Sequence, residues 1–241
     1  MFSATATLRS IALAYPATIR IFENYQLDYC CGGNRPLAEA CGQKNLSTET
    51  VLAALQQAAA DESAVKDLSK SSLTGIIAEI VHTHHNYIRA ELPRLQAMAE
   101  KVGTKHGPTH HEVLTLGRML ADLAEDLLQH LAKEEVILFP YIEKLERSQT
   151  DGSALPHACF ASVSSPIQAM INEHEGAGAL MEKMREITGN YTAPADACPT
   201  FIGLYAGLDA FERDLHIHVH RENNLLFPRA VALEQAALAA A

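Results

Sequence analysis

Two stretches of the chain repeat one pattern, His-x-x-x-Glu-x-x-x-Leu-Phe-Pro. The first runs through His130, Glu134, Leu138, Phe139 and Pro140, the second through His218, Glu222, Leu226, Phe227 and Pro228. A histidine and a carboxylate four residues apart share one face of a helix and can reach the same metal ion. Each copy has a further histidine upstream at nearly the same distance: His85 is 45 residues before His130, and His174 is 44 before His218. Such self-similarity predicts two helical hairpins related by duplication, each supplying His on one helix and His plus Glu on the next.

The elements that must position these residues are legible from apolar periodicity. Four helix-length segments, roughly 73–100, 110–147, 164–188 and 198–232, are joined by stretches carrying Gly, Pro, Thr and Asp. With no alternating strand pattern, this predicts an all-α, up-down-up-down four-helix bundle. On the second helix the seam runs Val113, Leu116, Leu120, Leu123, Leu127, then His130 and Glu134, then Ile137. On the fourth it runs Leu204, Leu208, Phe211, Leu215, then His218 and Glu222, then Leu225. The third gives Ile167, Met170, His174, Ala177, Met181 and Met184, and the first Val81, His85, Ile88, Leu92 and Leu95.

All four seams therefore carry a histidine into the core, and two add a carboxylate. An ionised carboxylate buried without a partner is costly, and no Lys or Arg occupies a neighbouring seam position to offset Glu134 or Glu222. A single seam histidine reads more readily as a satisfied core residue. Four in register with two carboxylates describe a dinuclear metal site. Imidazole and carboxylate without thiolate suit iron, manganese or zinc, and bridging carboxylates favour an iron pair that can cycle between oxidation states. Six side chains leave room for an oxo or hydroxo bridge and a small exogenous ligand. His106 has no counterpart in the second hairpin. As a loop residue it lies far from His85, since about 15 helical residues span about 22 Å, and it can bind only if its loop turns back. His82 and His84 point to other faces, His110, His111 and His157 read as solvated, and His216 and His220 flank the seam.

The remaining features bound the setting. The chain has 241 residues, 48% of them hydrophobic, and a net charge of -10, which suits a globular core and argues against nucleic acid and anionic membrane as partners. No apolar run approaches the roughly 20 residues of a membrane span. Residues 1–62 form a small helical N-terminal domain around Asp28-Tyr29-Cys30-Cys31-Gly32-Gly33, with a helix from Pro36 to Cys41 closed by Gly42, and another from about Thr48 to Ala60. The polar stretch 61–72 is a linker, and the bundle occupies 73–235. Pro16 interrupts the apolar run near the start, so the chain is expected to be cytoplasmic. Five cysteines without a C-x-x-C spacing fit a reducing compartment. The glycines after Cys30 and Cys31 permit a tight turn that would expose both sulfurs. Adjacent cysteines cannot easily share one metal, and spacing alone leaves them either ordinary thiols or a redox pair.

The His, His-x-x-x-Glu, His, His-x-x-x-Glu series resembles the hemerythrin-like metal-binding domain. With Leu-Phe-Pro in both copies and Asp28-Tyr29-Cys30-Cys31-Gly32-Gly33 near the start, nearly the whole chain resembles the iron–sulfur cluster repair di-iron family (the RIC, YtfE or ScdA type). The resemblance implies seven ligands, His85, His106, His130, Glu134, His174, His218 and Glu222, holding two irons bridged by the glutamates. It implies a redox or iron-handling pair in Cys30 and Cys31, on a domain that docks against the bundle. It also implies repair of iron–sulfur proteins damaged by nitrosative or oxidative stress, through iron delivery and with NO binding or reduction at the iron pair. Turnover as an enzyme is left open, as is a monomer or homodimer. The alternative is a hemerythrin-like O2 or NO carrier or sensor without turnover, which the cysteine-bearing domain disfavours.

Overall fold

The computed structural model describes residues 2–59, 68–157 and 160–239. Most of the predicted linker at 61–72, together with Cys159, lies outside the described residues. Among those described there is no strand, only an isolated bridge between Thr7 and Pro36. No described helix is long and apolar enough to cross a membrane.

The chain begins with α1 (Leu8–Ala14), a 3-10 turn (Pro16–Thr18), α2 (Ile19–Asn24), α3 (Leu37–Gln43) and α4 (Thr48–Ala59). Gly42 does not close α3 but lies inside it. Leu8, Ile11, Phe22, Leu37, Cys41, Val51 and Leu55 form a core of their own. The Thr7 hydroxyl accepts from the Ser10 amide and caps α1, satisfying one of the amides a helix start leaves unpaired.

Four long helical rods follow. The first joins α5 (Leu73–Ile80) to α6 (Asn86–His106), the second α7 (Glu112–Lys133) to α8 (Phe139–Asp151), the third is α9 (Ser164–Ile187), and the fourth joins α10 (Pro199–Arg221) to α11 (Phe227–Ala239). The first rod runs six residues past the predicted end at 100, because Leu95, Ala99, Val102 and His106 continue its buried face. His106 is thus a helical residue rather than a loop residue.

The bundle interior is split in two. One apolar cluster holds Ile88 to Val102, Val113 to Leu131, Met181 and Met184, and Phe201 to Val219. The other holds Leu73 to Ile80, Leu138 to Ile142, Val163 to Met170, and Leu226 to Ala230. Between them lies a layer of buried polar side chains that includes His85, His130, Glu134, His174, His218 and Glu222.

The duplication extends to how two of the rods begin. The Glu146 carboxylate, twelve residues after Glu134, accepts from the amides of Leu73 (2.6 Å) and Thr74 (2.9 Å) at the start of α5. Glu234, twelve residues after Glu222, accepts from the Val163 amide (2.9 Å) and the Ser162 hydroxyl (2.6 Å) just before α9. Each carboxylate also sits where the helix dipole favours negative charge.

Candidate metal centre

Three of the four rods change their winding at the polar layer. One π-turn spans Val81–His85, another Glu134–Leu138 and a third Glu222–Leu226. In each, an amide bonds to the carbonyl five residues back: Asn86 to Val81, Phe139 to Glu134, and Phe227 to Glu222. The extra residue advances the seam by one. The residues predicted after the glutamates, Ile137 and Leu225, are therefore not the buried ones: Ile137 is 45% exposed, whereas Leu138 is 1% and Leu226 is 0% exposed. In the first rod the apolar residue buried before His85 is Ile80 rather than Val81. π-Turns are frequent at functional sites.

Proline gives a local reason for two of these turns. Pro140 and Pro228 carry no amide to reach the carbonyl four residues earlier. At Pro228 that carbonyl belongs to Asn224, and the Arg9 guanidinium donates to it at 3.1 Å. The preceding phenylalanines pack against ligand rings. Phe139 stacks on His85 (centroids 5.7 Å, 20° between planes) and Phe227 on His174 (6.2 Å, 3°). Leu-Phe-Pro thus re-phases the helix and walls one imidazole.

The inward nitrogens converge in two groups. His85 and His218 place their Nε2 atoms 3.2 Å apart, and His130 and His174 place theirs 2.9 Å apart. Both carboxylates span the groups. Glu134 presents Oε2 to His85 (3.5 Å) and Oε1 to His130 (3.4 Å). Glu222 presents Oε1 to His218 (2.9 Å) and Oε2 to His174 (3.1 Å). His85, Glu134, His218 and Glu222 form one four-donor set, and His130, Glu134, His174 and Glu222 the other. Ligands about 2.1 Å from one ion and at right angles are about 3 Å apart, close to the spacings within each set.

Outer partners fix which nitrogen faces inward. The Nδ1 atoms of His85, His130 and His174 meet Glu135 Oε1 (2.7 Å), Glu173 Oε2 (2.8 Å) and Asn223 Oδ1 (2.9 Å). Each of these imidazoles thereby donates Nδ1–H outward and turns an Nε2 lone pair inward, the arrangement that orients a metal-binding histidine. Arg89 braces Glu135 with two hydrogen bonds, and Lys133 braces Glu173. Facing lone pairs 2.9 Å apart repel unless a proton or a metal ion lies between them.

The electrostatics point the same way. Glu134 and Glu222 are both 0% exposed, and neither oxygen of Glu134 nor Oε2 of Glu222 has a hydrogen-bond partner. Burial pushes the Glu134 carboxyl up, and the neighbouring Glu222 charge adds to it. At Glu222 burial is outweighed by the His218, His174 and His85 imidazoles gathered around it, which hold it well below the usual carboxylate range. Burial drops His218 to about 3. Burial also lowers His130, but the Glu134 and Glu222 charges and the hydrogen bond with Glu173 carry it up to about 9. Equivalent groups driven in opposite directions fit a layer whose buried charge calls for compensating cations. The orphaned oxygens, the convergent lone pairs and the donor types all fit a pair of divalent ions.

Of the seven ligands expected, six lie in this layer and His106 does not. It ends α6, 21 residues beyond His85 and so about 30 Å along the rod, grouped instead with His110 and Asp196. His84, expected on another face, is 2% exposed and stacks on the His218 ring (5.6 Å, 14°), fixed between Asp214 (2.9 Å) and Arg221 (2.8 Å). Glu135, Glu173 and Asn223 escaped the sequence reading, although each directly follows or precedes a ligand, which was the available signal.

Cys30 and Cys31 lie where the N-terminal helices meet the bundle. Both are free thiols, and Cys30 is buried rather than exposed. Asp28 gathers the turn, accepting from the amides of Cys31 (3.0 Å) and Gly32 (2.8 Å) and from the Cys30 thiol (3.2 Å). A Cβ on Gly33 would collide with the Tyr29 carbonyl oxygen, so the chain needs glycine there. The Asn224 amide donates to the Tyr29 and Cys30 carbonyls, both at 3.2 Å. Asn223 Nδ2 lies 4.0 Å from the Cys31 sulfur while its oxygen accepts from His174, so one amide links thiol and ligand. The contact with Cys31 and burial together raise the Cys30 thiol well above its ordinary value.

The hemerythrin family, described as an HHE cation binding domain, matches residues 76–230. The ScdA_N family, described as a domain of unknown function, matches residues 4–59. The iron-sulfur cluster repair protein YtfE of Yersinia pseudotuberculosis serotype IB (strain PB1/+) is 37% identical over 225 residues, 93% of this chain and 96% of that protein. YtfE of Yersinia pestis (strain Pestoides F) is 36% identical over the same shares.

Proposed function

This chain belongs to the YtfE-type family of iron–sulfur cluster repair proteins, with a hemerythrin HHE cation-binding domain, and from that premise we propose that it holds two iron ions and restores iron–sulfur clusters damaged by nitrosative or oxidative stress. The observation that carries this reading is the pair of buried four-donor sets that share both carboxylates. In this reading His85 and His218 hold one ion, His130 and His174 the other, and Glu134 and Glu222 bridge them. Two irons there supply redox chemistry and exchangeable positions for a diatomic such as NO or O2.

The chain's own residues bind, orient and shield. Glu135, Glu173 and Asn223 keep three imidazoles in the metal-binding tautomer. Phe139 and Phe227, with the two apolar clusters, keep water from the buried carboxylates. A cavity of about 220 Å³ between α7 and α9, lined by Leu127, His130, Glu173 and His174 among others, offers a route to the second donor set. Imidazole and carboxylate release iron more readily than a thiolate cage would, which favours donation to damaged clusters. We read residues 1–62 as a docking domain whose Cys31 communicates with the site through Asn223, and the protein as cytoplasmic.

Anaerobic mixing of the Fe(II)-loaded protein with an enzyme whose cluster has been damaged by NO tests this. Recovery of that enzyme's activity with matching loss of iron is expected, and N2O released on adding NO would establish the accompanying reduction. Reversible O2 binding with neither recovery nor N2O would instead establish a carrier or sensor.

A further inference from the structure

At the end of the bundle remote from the carboxylate layer, the loop between α6 and α7 meets the loop between α9 and α10. His106 closes α6, and the His110 amide donates to the His106 carbonyl at 2.7 Å. The chain turns there at Gly107, where a Cβ would collide with the Gly103 carbonyl oxygen. The turn brings the two imidazoles to one side, with centroids 6.1 Å apart. His106 is 7% exposed, packed on Phe201 at 5.2 Å, and its Nε2 has no hydrogen-bond partner. From the facing loop Asp196 presents both oxygens to His110 Nε2 at 3.1 Å. One nitrogen of each ring and one Asp196 oxygen lie within 4.8 Å of one another.

We infer that His106, His110 and Asp196 form a separate mononuclear site for a divalent transition-metal ion such as Zn2+, Co2+ or Fe2+. The donor types and the His-x-x-x-His spacing suit such an ion. Glu112 completes the arrangement, since its Oε1 lies 3.2 Å from His110 Nδ1. That contact draws the Nδ1 proton outward and leaves Nε2 to face Asp196 and the ion, as in carboxylate–histidine–metal sites. An ion pair that merely ties two loops together accounts for His110 and Asp196. It does not account for a buried imidazole nitrogen with nothing to bond, on a ring grouped with that pair. Three protein donors leave positions for water, so the ion exchanges with solvent. The site stands apart from the carboxylate layer and owes nothing to the repair reading.

The test is calorimetric titration of the iron-loaded protein with Zn2+, paralleled by Co2+ with visible absorption. One further equivalent is expected to bind, with Co2+ giving d–d bands. Asp196→Asn and His110→Gln should each weaken that equivalent at least tenfold while the absorption of the central iron pair is unchanged. His106→Phe should lose the equivalent with an equal or higher melting temperature, which separates ligation from packing. The same titration in Glu134→Ala with Glu222→Ala should retain this equivalent, so that loss of the central pair leaves the result readable. Absence of a further equivalent, or one of equal affinity in all three variants, overturns the inference.

Discussion

The two hairpins place the same three donors, His, His and Glu, in the same order, yet they surround them differently. His85 and His174 are equivalent, and their outer nitrogens meet the residue just after the buried glutamate of the motif. In the first hairpin that residue is Glu135, a carboxylate braced by Arg89; in the second it is Asn223, a neutral amide that also reaches Cys31. The other equivalent pair departs further. His130 has Glu173 at its Nδ1, whereas the matching neighbour of His218 is His84, stacked on its ring, and His218 Nδ1 has no partner. Duplication fixed the inner donors and left the outer ones to diverge. The second motif spends its divergence on the N-terminal domain: Asn223 and Asn224 hold Cys31 and the Cys30 carbonyl, where the first motif has Glu135 and an exposed Val136.

The largest expected effect breaks the symmetry of packing rather than of charge. Leu138→Ala and Leu226→Ala should each cost about 2–5 kcal/mol by denaturant unfolding, as for buried leucines elsewhere. Ile137→Lys should stay within about 0.5 kcal/mol, as surface changes do. Equal losses at Ile137 and Leu138 would contradict the π-turn phasing.

A second comparison sharpens the outer partners. Glu135→Ala should weaken metal binding about 10–100-fold, and Asn223→Ala by less, because a charged acceptor holds the imidazole proton more strongly than an amide. Competition with a chelator of known affinity ranks the two. A larger loss at Asn223 would reverse the assignment.

The smallest effect concerns the helix starts. Glu146→Ala and Glu234→Ala should each cost about 0.5–2 kcal/mol at neutral pH. Both carboxyls are buried enough to be raised by desolvation, but hydrogen bonds from Thr74 and Leu73, and from Ser162, Tyr141 and Val163, hold them below their ordinary values. A carboxyl depressed on folding stabilises fully above its unfolded pKa of about 4.3 and loses that contribution as pH falls through the folded value. The gap between variants and parent should therefore begin to narrow as pH falls below about 4.3 and close only once it is below the folded value, in thermal melts. A gap that persists there would contradict capping by the charged form.

Much of this was legible in the sequence because it is periodic. Steps of three and four on four rods locate the six residues of the central layer, and the repeated motif announces the duplication. What escaped was where the period breaks. A π-turn adds one residue without any residue type that marks it unambiguously, so Ile137 and Leu225 were expected inside and Leu138 and Leu226 lie there. Gly103, Gly107 and Pro108 suggest a break that would put His106 in a loop, yet the run Leu95, Ala99, Val102, His106 keeps the helical period. Family resemblance then assigned it to the central pair, whereas the length of α6 carries it away. The burial of Cys30 cannot be inferred locally, since the residue packs into the apolar cluster of the distant bundle helices.

The most direct test of the central claim is anaerobic Fe(II) titration of the metal-free protein with iron analysis and Mössbauer spectroscopy. Two equivalents should bind the parent and give a coupled pair after oxidation, and Glu134→Ala with Glu222→Ala should abolish stoichiometric binding of two irons. A parent that binds a single iron, or a double variant that keeps both, would contradict the carboxylate-bridged site.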